Sequence, residues 1–437
     1  MDFKWIDKGI RKHIIYLLLA CTGFLTCCQS KKDRAATEII LTNSSTVDLN
    51  NKAITIGRDH LSSVPDGEFH PLIQNMSEDT IPAQLDDLDG DGKWDELFFL
   101  MSLESNTEET LYLRWVSSPL SFEKRTSVRF GVRASLEDIV QPALSDTFYP
   151  GELPWIMGYQ PYQTDGPSWE NDKVGFRHYL DGRNSKDVFG KKVSYMSPDS
   201  VGINQEGVTE DNYHVMEDWG RDILSVGNSV GIGGIALKIG DRLARIGVMP
   251  PDTIGNVEST IFRILSEGPV RSVMSFSYKN WKPLDLGYGV EEITSIWPGM
   301  YAYKNSVSFS GLLDNEKALV GLVNINTDKP LTEIKASDKW VILLIHDKQT
   351  YDKEWWLGLA LILPADNYLG YIEAPDTGDI SNTYLAEFKI NNESSLDYYA
   401  VACWELSDPG FRNEDYFQEY VRDLAEQLET EVQVTIK

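Results

Sequence analysis

The densest run of groups able to do chemistry lies between Trp169 and Lys192. From Lys173 to Lys192 there are six Lys or Arg and two Asp, within a chain whose net charge is −27. Lys173, Arg177 and Tyr179 fall at alternating positions, so one face of a strand would present all three. Arg grips a carboxylate through two parallel N–H bonds, and such a face suits an anionic ligand. The alternative is a solvated face balanced by the acidic stretch from Glu206 to Asp222. Tyr213 and His214 follow, a phenol beside an imidazole. An imidazole gains and loses its proton near neutral pH, which makes His214 the first acid/base candidate. His346, at the end of an apolar strand, is the second. A lone His also serves structural roles. Outside the N-terminal segment the histidines are His60, His70, His178, His214 and His346, and no pair has the spacing of a zinc site. The glycines Gly227, Gly231, Gly233 and Gly234 lack a following Gly-Lys-Ser/Thr, so they form no phosphate loop. No Gly-x-Ser-x-Gly elbow is present.

A second constellation is Asp87, Asp89, Asp91 and Asp95, with Gly92 among them. These carboxylates stand at positions 1, 3, 5 and 9 of a calcium loop, with glycine at position 6. Position 12 should be a bidentate Glu, and Phe98 stands there instead. Asp-Gly pairs also make ordinary hairpin turns. The pattern offers a structural calcium, a staple rather than a catalyst, and no cofactor for chemistry.

The N-terminus supplies an address. Lys4, Lys8, Arg11 and Lys12 precede the short apolar stretch His13 to Thr26, too short to span a bilayer comfortably and suited to an export signal. Leu25, Thr26, Cys27 and Cys28 fit a lipobox with Cys28 as the lipidated residue. The expected chain is a lipoprotein on the outer membrane, at its periplasmic face or the cell surface. An ordinary secretory signal or a membrane anchor is the alternative. After Cys28 the only cysteine is Cys403, so the processed chain has no internal disulfide, and packing must supply its stability. A net charge of −27 also excludes binding nucleic acid through the overall field. The 12 tryptophans could line sugar sites or fill cores.

The elements that must position these groups read as mostly β. Short alternating or apolar runs separated by Asn, Asp, Gly and Ser recur from Glu38 onward. Residues 1–28 are the signal and 29–36 a tether. Residues 37–135 read as a small β-sandwich, 136–168 as a linker or loop, and 169–437 as the main domain. Ser266, Glu267, Gly268 and Pro269 mark a hairpin. One helix stands out near the end, capped by Asn413, with Tyr416, Phe417, Tyr420, Val421, Leu424 and Leu428 at helical spacing.

The combined pattern resembles domain of unknown function 4861. It rests on Trp169, Glu170, Asn171, Asp172, Phe176, Arg177, Tyr179, Asp187, Gly190, Lys191, Tyr213, His214, Trp219 and Gly220, with the glycines Gly227 to Gly234. Upstream, Gln84 and Asp86 to Gly92, then Asp95 to Leu97, match as well. The region from Glu267 to Arg271 is similar to the β-supersandwich of sugar mutarotases and polysaccharide lyases. The resemblance implies an N-terminal sandwich followed by a supersandwich (galactose-mutarotase-like). It also implies polysaccharide degradation, with one family type dehydrating the terminal glucuronic or iduronic acid of ulvan oligosaccharides to a 4,5-unsaturated sugar. That chemistry needs a neutralised carboxylate, a base for the C5 proton and an acid for the departing C4 oxygen. Arg177 and Lys173 with Asn171 are the expected carboxylate binders, and His214 and Tyr213 the base and acid in either order. Trp169, Tyr179 and Trp219 are expected against sugar faces, with Lys191 and His346 as further substrate contacts. The partner is then an acidic oligosaccharide. A non-catalytic glycan-binding lipoprotein, a polysaccharide lyase and an epimerase or mutarotase are the rival readings.

Overall fold

The computed structural model describes residues 36–62, 64–65, 67–135, 137–152, 161–249, 254–313 and 315–437. The export signal over 1–28, the lipidated Cys28 and the tether up to residue 35 lie outside the described residues. No helix among the described residues is long and apolar enough to cross a membrane.

The first unit is a sandwich of two antiparallel sheets. One holds five strands in the order Gln433–Ile436, Thr37–Asn43, Thr107–Val116, His70–Asn75 and Thr80–Ile81. The other holds Leu49–Gly57, Glu96–Leu103 and Ala83–Asp86. Alternation explains its core: Ile39, Leu41, Leu97, Phe99, Leu111 and Leu113 point inward and are buried. The last strand does more than end the chain. It pairs with the first, Ile436 opposite Ile39, so both ends of the described chain build the same sandwich.

The second unit is a supersandwich. A nine-stranded antiparallel sheet runs in the order Ser145–Phe148, Val257–Glu267, Ser272–Trp281, Tyr288–Ile296, Ala302–Ser310, Ser395–Trp404, Leu357–Pro364, Trp340–Asp347 and Thr332–Lys335. Two five-stranded sheets share a core with it. One holds Gly220–Asp222, Lys186–Lys191, Val174–His178, Ser168–Asn171 and Thr126–Arg129; the other is centred on Ile232–Ile239, Glu316–Val323 and Thr383–Lys389. Two segments depart from the sequence reading. Thr126–Arg129 pairs with Ser168–Asn171 in the supersandwich rather than in the small sandwich. Ser145–Phe148, expected in a linker, is the edge strand of the largest sheet.

The glycine-rich stretch has a structural purpose. Gly231 and Gly233 adopt φ of 78° and 68°, a left-handed backbone open to glycine at little cost. They bulge the strand between Ile232 and Ile235. The bulge exposes carbonyls inward, where Tyr303 Oη reaches Ile232 O at 2.8 Å and Tyr398 Oη reaches Gly233 O at 2.6 Å.

The helix Glu414–Glu429 forms as its spacing predicts. Asn413 caps it by accepting from Tyr416 N at 3.1 Å, and Phe417, Val421 and Leu424 are buried. It packs on strands Trp340–Asp347 and Leu357–Pro364. Each fully buried side chain on that face stabilises by about 1.5–3 kcal/mol. Cys403 is fully buried, and burial pushes its thiol pKa well above the usual range, so it acts as a small apolar filler.

The two units are locked by residues of the resemblance pattern. The Gln84 side chain accepts from Val270 N and Arg271 N at 3.1 and 2.8 Å and donates to Arg271 O at 3.0 Å. The Arg271 guanidinium pairs with Asp86 and with Glu96. The hairpin foreseen at Glu267 to Pro269 is thus a plug set into the first sandwich.

Candidate active site

Three neighbouring strands build the site by register alone. Arg177 stands opposite Asp187, and Phe189 opposite Asp222. With a side-chain period of two, Arg177, Tyr179, Asp187, Phe189 and Asp222 share one face of the sheet, while Phe176 and Val188 enter the core on the other. Arg177 is fully buried. Its Nη2 donates to Asp222 Oδ2 at 2.6 Å and also binds Asp187 and the Tyr179 hydroxyl. Its Nη1 lies 3.6 Å from Asp165 Oδ2. The rings of Tyr179, Phe189 and Tyr213 surround its Cζ at 4.2, 5.0 and 5.1 Å.

One guanidinium therefore faces three carboxylates in a dry place. Burial pushes the Asp222 pKa well up, the Asp187 charge adds to that, and Arg177 opposes both. Burial raises Asp165 as well, with Arg177 and the Tyr213 hydroxyl pulling it back. The cluster relieves its excess negative charge by holding a proton.

His214 is the group through which this cage meets solvent. Its side chain is 41% exposed. Nδ1 lies 3.5 Å from Asp222 Oδ2, and Nε2 lies 2.9 Å from Asp211 Oδ1. Its ring stands 4.8 Å from that of Tyr213 and 5.8 Å edge-on from that of Tyr351. Tyr213 is buried and donates to Asp165 at 2.9 Å. Burial pushes the phenols of Tyr213 and Tyr351 up, so both keep their protons at neutral pH. Arg221 packs on the same tyrosine, Tyr351. Its Cζ lies 5.9 and 5.6 Å from the rings of Tyr351 and Trp355, its Nε donates to Asp222 O at 3.0 Å, and its Nη1 is a loose 3.8 Å from Glu354. An imidazole backed by a buried carboxylate, next to a protonated phenol and a guanidinium, can take a proton from an anionic substrate and return one.

The structure brings together Arg177, Tyr179, Tyr213 and His214 from the sequence candidates, with Trp219 packed behind Phe189, and places Lys173, Trp169, Asn171, Lys191 and His346 elsewhere. Arg177 is sequestered by the protein's own carboxylates. Lys173 lies in the turn before strand Val174–His178, off the Arg177 face, with its Nζ 5.8 Å from the Tyr301 ring. Trp169 is a core residue packed on Phe176 and Tyr303. The buried amide of Asn171 donates to Trp297 O and Met300 O at 2.7 and 2.8 Å. Lys191 is buried against Glu170 at 3.1 Å. Trp219 packs edge-on against Phe189. His346 stacks on Trp356 and Phe417 in another sheet, and its Nε2 meets Phe411 O at 2.8 Å. Sequence reasoning missed Asp165, Asp211, Asp222, Arg221 and Tyr351 as site members. Only Asp187 carried a local signal, because a hairpin between the basic runs places it across from Arg177.

At the acidic loop, Asp87, Asp89 and Asp95 each offer an oxygen within 4.8 Å of the others. Asp91 does not join them; its Oδ1 accepts from Lys93 N at 2.7 Å and its Oδ2 lies 3.5 Å from the Lys93 ammonium. The three remaining carboxylates already cap turns: Asp87 accepts from Gly90 N and Gly92 N, Asp89 from Asp91 N, and Asp95 from Leu88 N. The donor set is one of hard oxygens, as calcium prefers, and bidentate binding with water would complete the roughly six to eight oxygens that calcium takes.

The profile of the family described as Domain of unknown function (DUF4861) matches residues 41–434. A protein of Formosa agariphila, "Uncharacterized protein P7", is 24% identical over 451 residues, covering 98% of this chain and 100% of its own. Among solved structures, an alpha-mannosidase from Enterococcus faecalis is similar at a TM-score of 0.47 and 10% identity, over 92% of this chain and 46% of that one. A glycosyl hydrolase family 38 protein from the same organism gives the same score and identity, over 92% and 47%. The chain spans about half the length of each of these structures, and a likeness of this depth bears on neither reaction nor substrate.

Proposed function

This chain belongs to the family described as Domain of unknown function (DUF4861), and from that membership and the His214 site we propose that it is a carbon–oxygen lyase of polysaccharide degradation. The reaction is dehydration of the non-reducing-end glucuronic or iduronic acid of an acidic, ulvan-like oligosaccharide. The observation that carries the reading is a half-exposed imidazole braced by a buried carboxylate, with a second acid and a loosely paired guanidinium at its rim.

The roles follow from reach and charge. Arg221, rather than the sequestered Arg177, binds the sugar carboxylate and makes the C5 proton more acidic. His214 Nε2 takes that proton, displacing its contact with Asp211, while Asp222, 3.5 Å from Nδ1, keeps the ring in position. The C5 electron pair forms the C4–C5 double bond, and the C4–O bond breaks. Tyr351 protonates the departing oxygen, which leaves as water; His214 then releases the C5 proton to solvent as Tyr351 regains one. Tyr213, whose proton is committed to Asp165, holds the ring of His214 rather than acting as the acid. No step uses a cofactor.

Lipid anchoring through Cys28 at the outer membrane, at its periplasmic face or the cell surface, is part of the proposal. It would hold the enzyme where acidic glycan fragments pass. A calcium ion held by Asp87, Asp89 and Asp95 is proposed as a structural staple only. The test of the reaction is ultraviolet absorbance. Saturated glucuronyl or iduronyl oligosaccharides should acquire the band of a conjugated enol ether with the native protein. If they bind and no band grows, the glycan-binding reading replaces this one.

A further inference from the structure

A cavity of about 570 Å³ opens where three parts of the molecule meet, away from His214. The strand Leu49–Gly57 forms one wall and the helix Glu414–Glu429 the other. The floor is the outer face of strands Tyr288–Ile296 and Ala302–Ser310, and the loop from Trp297 to Met300 closes one end. Its size lies within the range of roughly 300–1,000 Å³ usual for ligand pockets, which favour domain junctions.

The chemistry of the lining is selective. The main-chain N–H groups of Asn50 and Asn51 are pinned, to Gln427 Oε1 at 3.0 Å and Ser102 Oγ at 3.1 Å. Their side-chain amides, and the Ser295 hydroxyl, make no hydrogen bond among the described residues. The indole of Trp297, 8% exposed, packs on Phe98 and Tyr399 and gives the cavity an aromatic side. The cations around it are already engaged. Lys304 pairs with Asp397 at 2.8 Å, Arg271 with Asp86 and Glu96, and the Lys52 ammonium donates to Gln427 O at 2.7 Å at the helix C-terminus. The cavity therefore offers unpaired amide donors and acceptors, a hydroxyl and a ring, with no free cation to hold a carboxylate.

Asn171 and Asp172, at the end of the strand Ser168–Asn171 and in the turn after it, keep this wall in place. Asn171 holds the carbonyls of Trp297 and Met300, and Asp172 Oδ1 accepts from Gly299 N at 2.9 Å. Gly299 has φ of 92°, and a Cβ there would stand 2.7 Å from Asn51 Nδ2. Glycine at 299 thus lets the loop close onto Asn51. Asn171, expected against the substrate carboxylate, instead braces this second place.

We propose that the cavity is a second glycan-binding site that takes a neutral, hydroxyl-bearing sugar unit of an oligosaccharide. Amides matched to vicinal hydroxyls and an indole against an apolar sugar face provide the recognition. The site uses none of the reaction residues, and it stands whether or not the dehydration proposed above occurs.

The experiment is calorimetric titration of the full chain with cellotetraose, mannotetraose and xylotetraose. At least one should bind the native protein. Trp297→Ala and Asn51→Asp should each weaken that binding at least tenfold, and His214→Ala should leave it within twofold. Asn51→Asp guards against misfolding of the tryptophan variant, because aspartate tolerates the left-handed backbone at that position, where φ is 49°. Binding by none of the three sugars, or unchanged affinity in a natively melting Asn51→Asp, overturns the proposal. Failure of the dehydration assay with these results intact would remove the reaction and leave this site.

Discussion

Arg177 and His214 stand within one cluster yet should fail in opposite ways when changed. Arg177 is fully buried among three carboxylates, so Arg177→Met leaves uncompensated negative charge in a dry site. Breaking such a pair from one side costs about 3–5 kcal/mol, which urea denaturation will read as a large drop in stability. His214 is 41% exposed and holds up little of the fold. His214→Ala should keep the native melting temperature and lose roughly 100-fold or more of turnover, the usual worth of a positioned base. Asp222 links the two behaviours. Its folded pKa is raised by burial and by Asp187, above the unfolded value of about 3.9. The folded state then binds more protons than the unfolded state, so this group's stabilisation is complete below that unfolded value. It is lost as pH rises through the folded one. Melting temperatures from acid to alkaline pH should fall less steeply in Asp222→Asn than in the native protein. An equal slope would remove Asp222 as the proton holder.

At the scale of elements, much was legible in the sequence and the exceptions have physical causes. The alternation of Ile39 and Leu41, the hairpin at Gly268 and Pro269 and the stripe from Phe417 to Leu424 are local signals, and each produced the expected element. Trp169 and Lys191 carried the right residue types for sugar binding but are buried, Trp169 in the shared core and Lys191 against Glu170 on the other face. Periodicity identifies a face without saying which side of a two-sided sheet is covered. The site residues Asp165, Asp222 and Tyr351 come from three separate segments, and no spacing along the chain could have joined them to His214. Two predictions belong here. Arg271→Ala breaks the plug between Asp86, Glu96 and the hairpin, and calorimetry should resolve two melting transitions where the native protein has one. Calcium at millimolar concentration should raise the native protein's melting temperature by a few degrees, and Asp95→Asn should abolish that rise.

At the scale of the molecule, the two ends of the described chain are stitched into one sheet by the pairing of Thr37–Asn43 with Gln433–Ile436. The supersandwich is thereby an insertion between the strands of a single small sandwich, and the helix that walls the junction cavity is part of the return path. Sequence reading placed the units in series because it counts strands along the chain and cannot see which strand closes a sheet.

The most direct test of the account is one mass spectrum. Native protein and His214→Ala are each incubated with a saturated glucuronyl oligosaccharide of defined length. The account predicts that the native product is the intact oligosaccharide lighter by one water, and that the His214→Ala mixture is almost unchanged. Shorter fragments, an unaltered mass with native protein, or full conversion by His214→Ala would each contradict it.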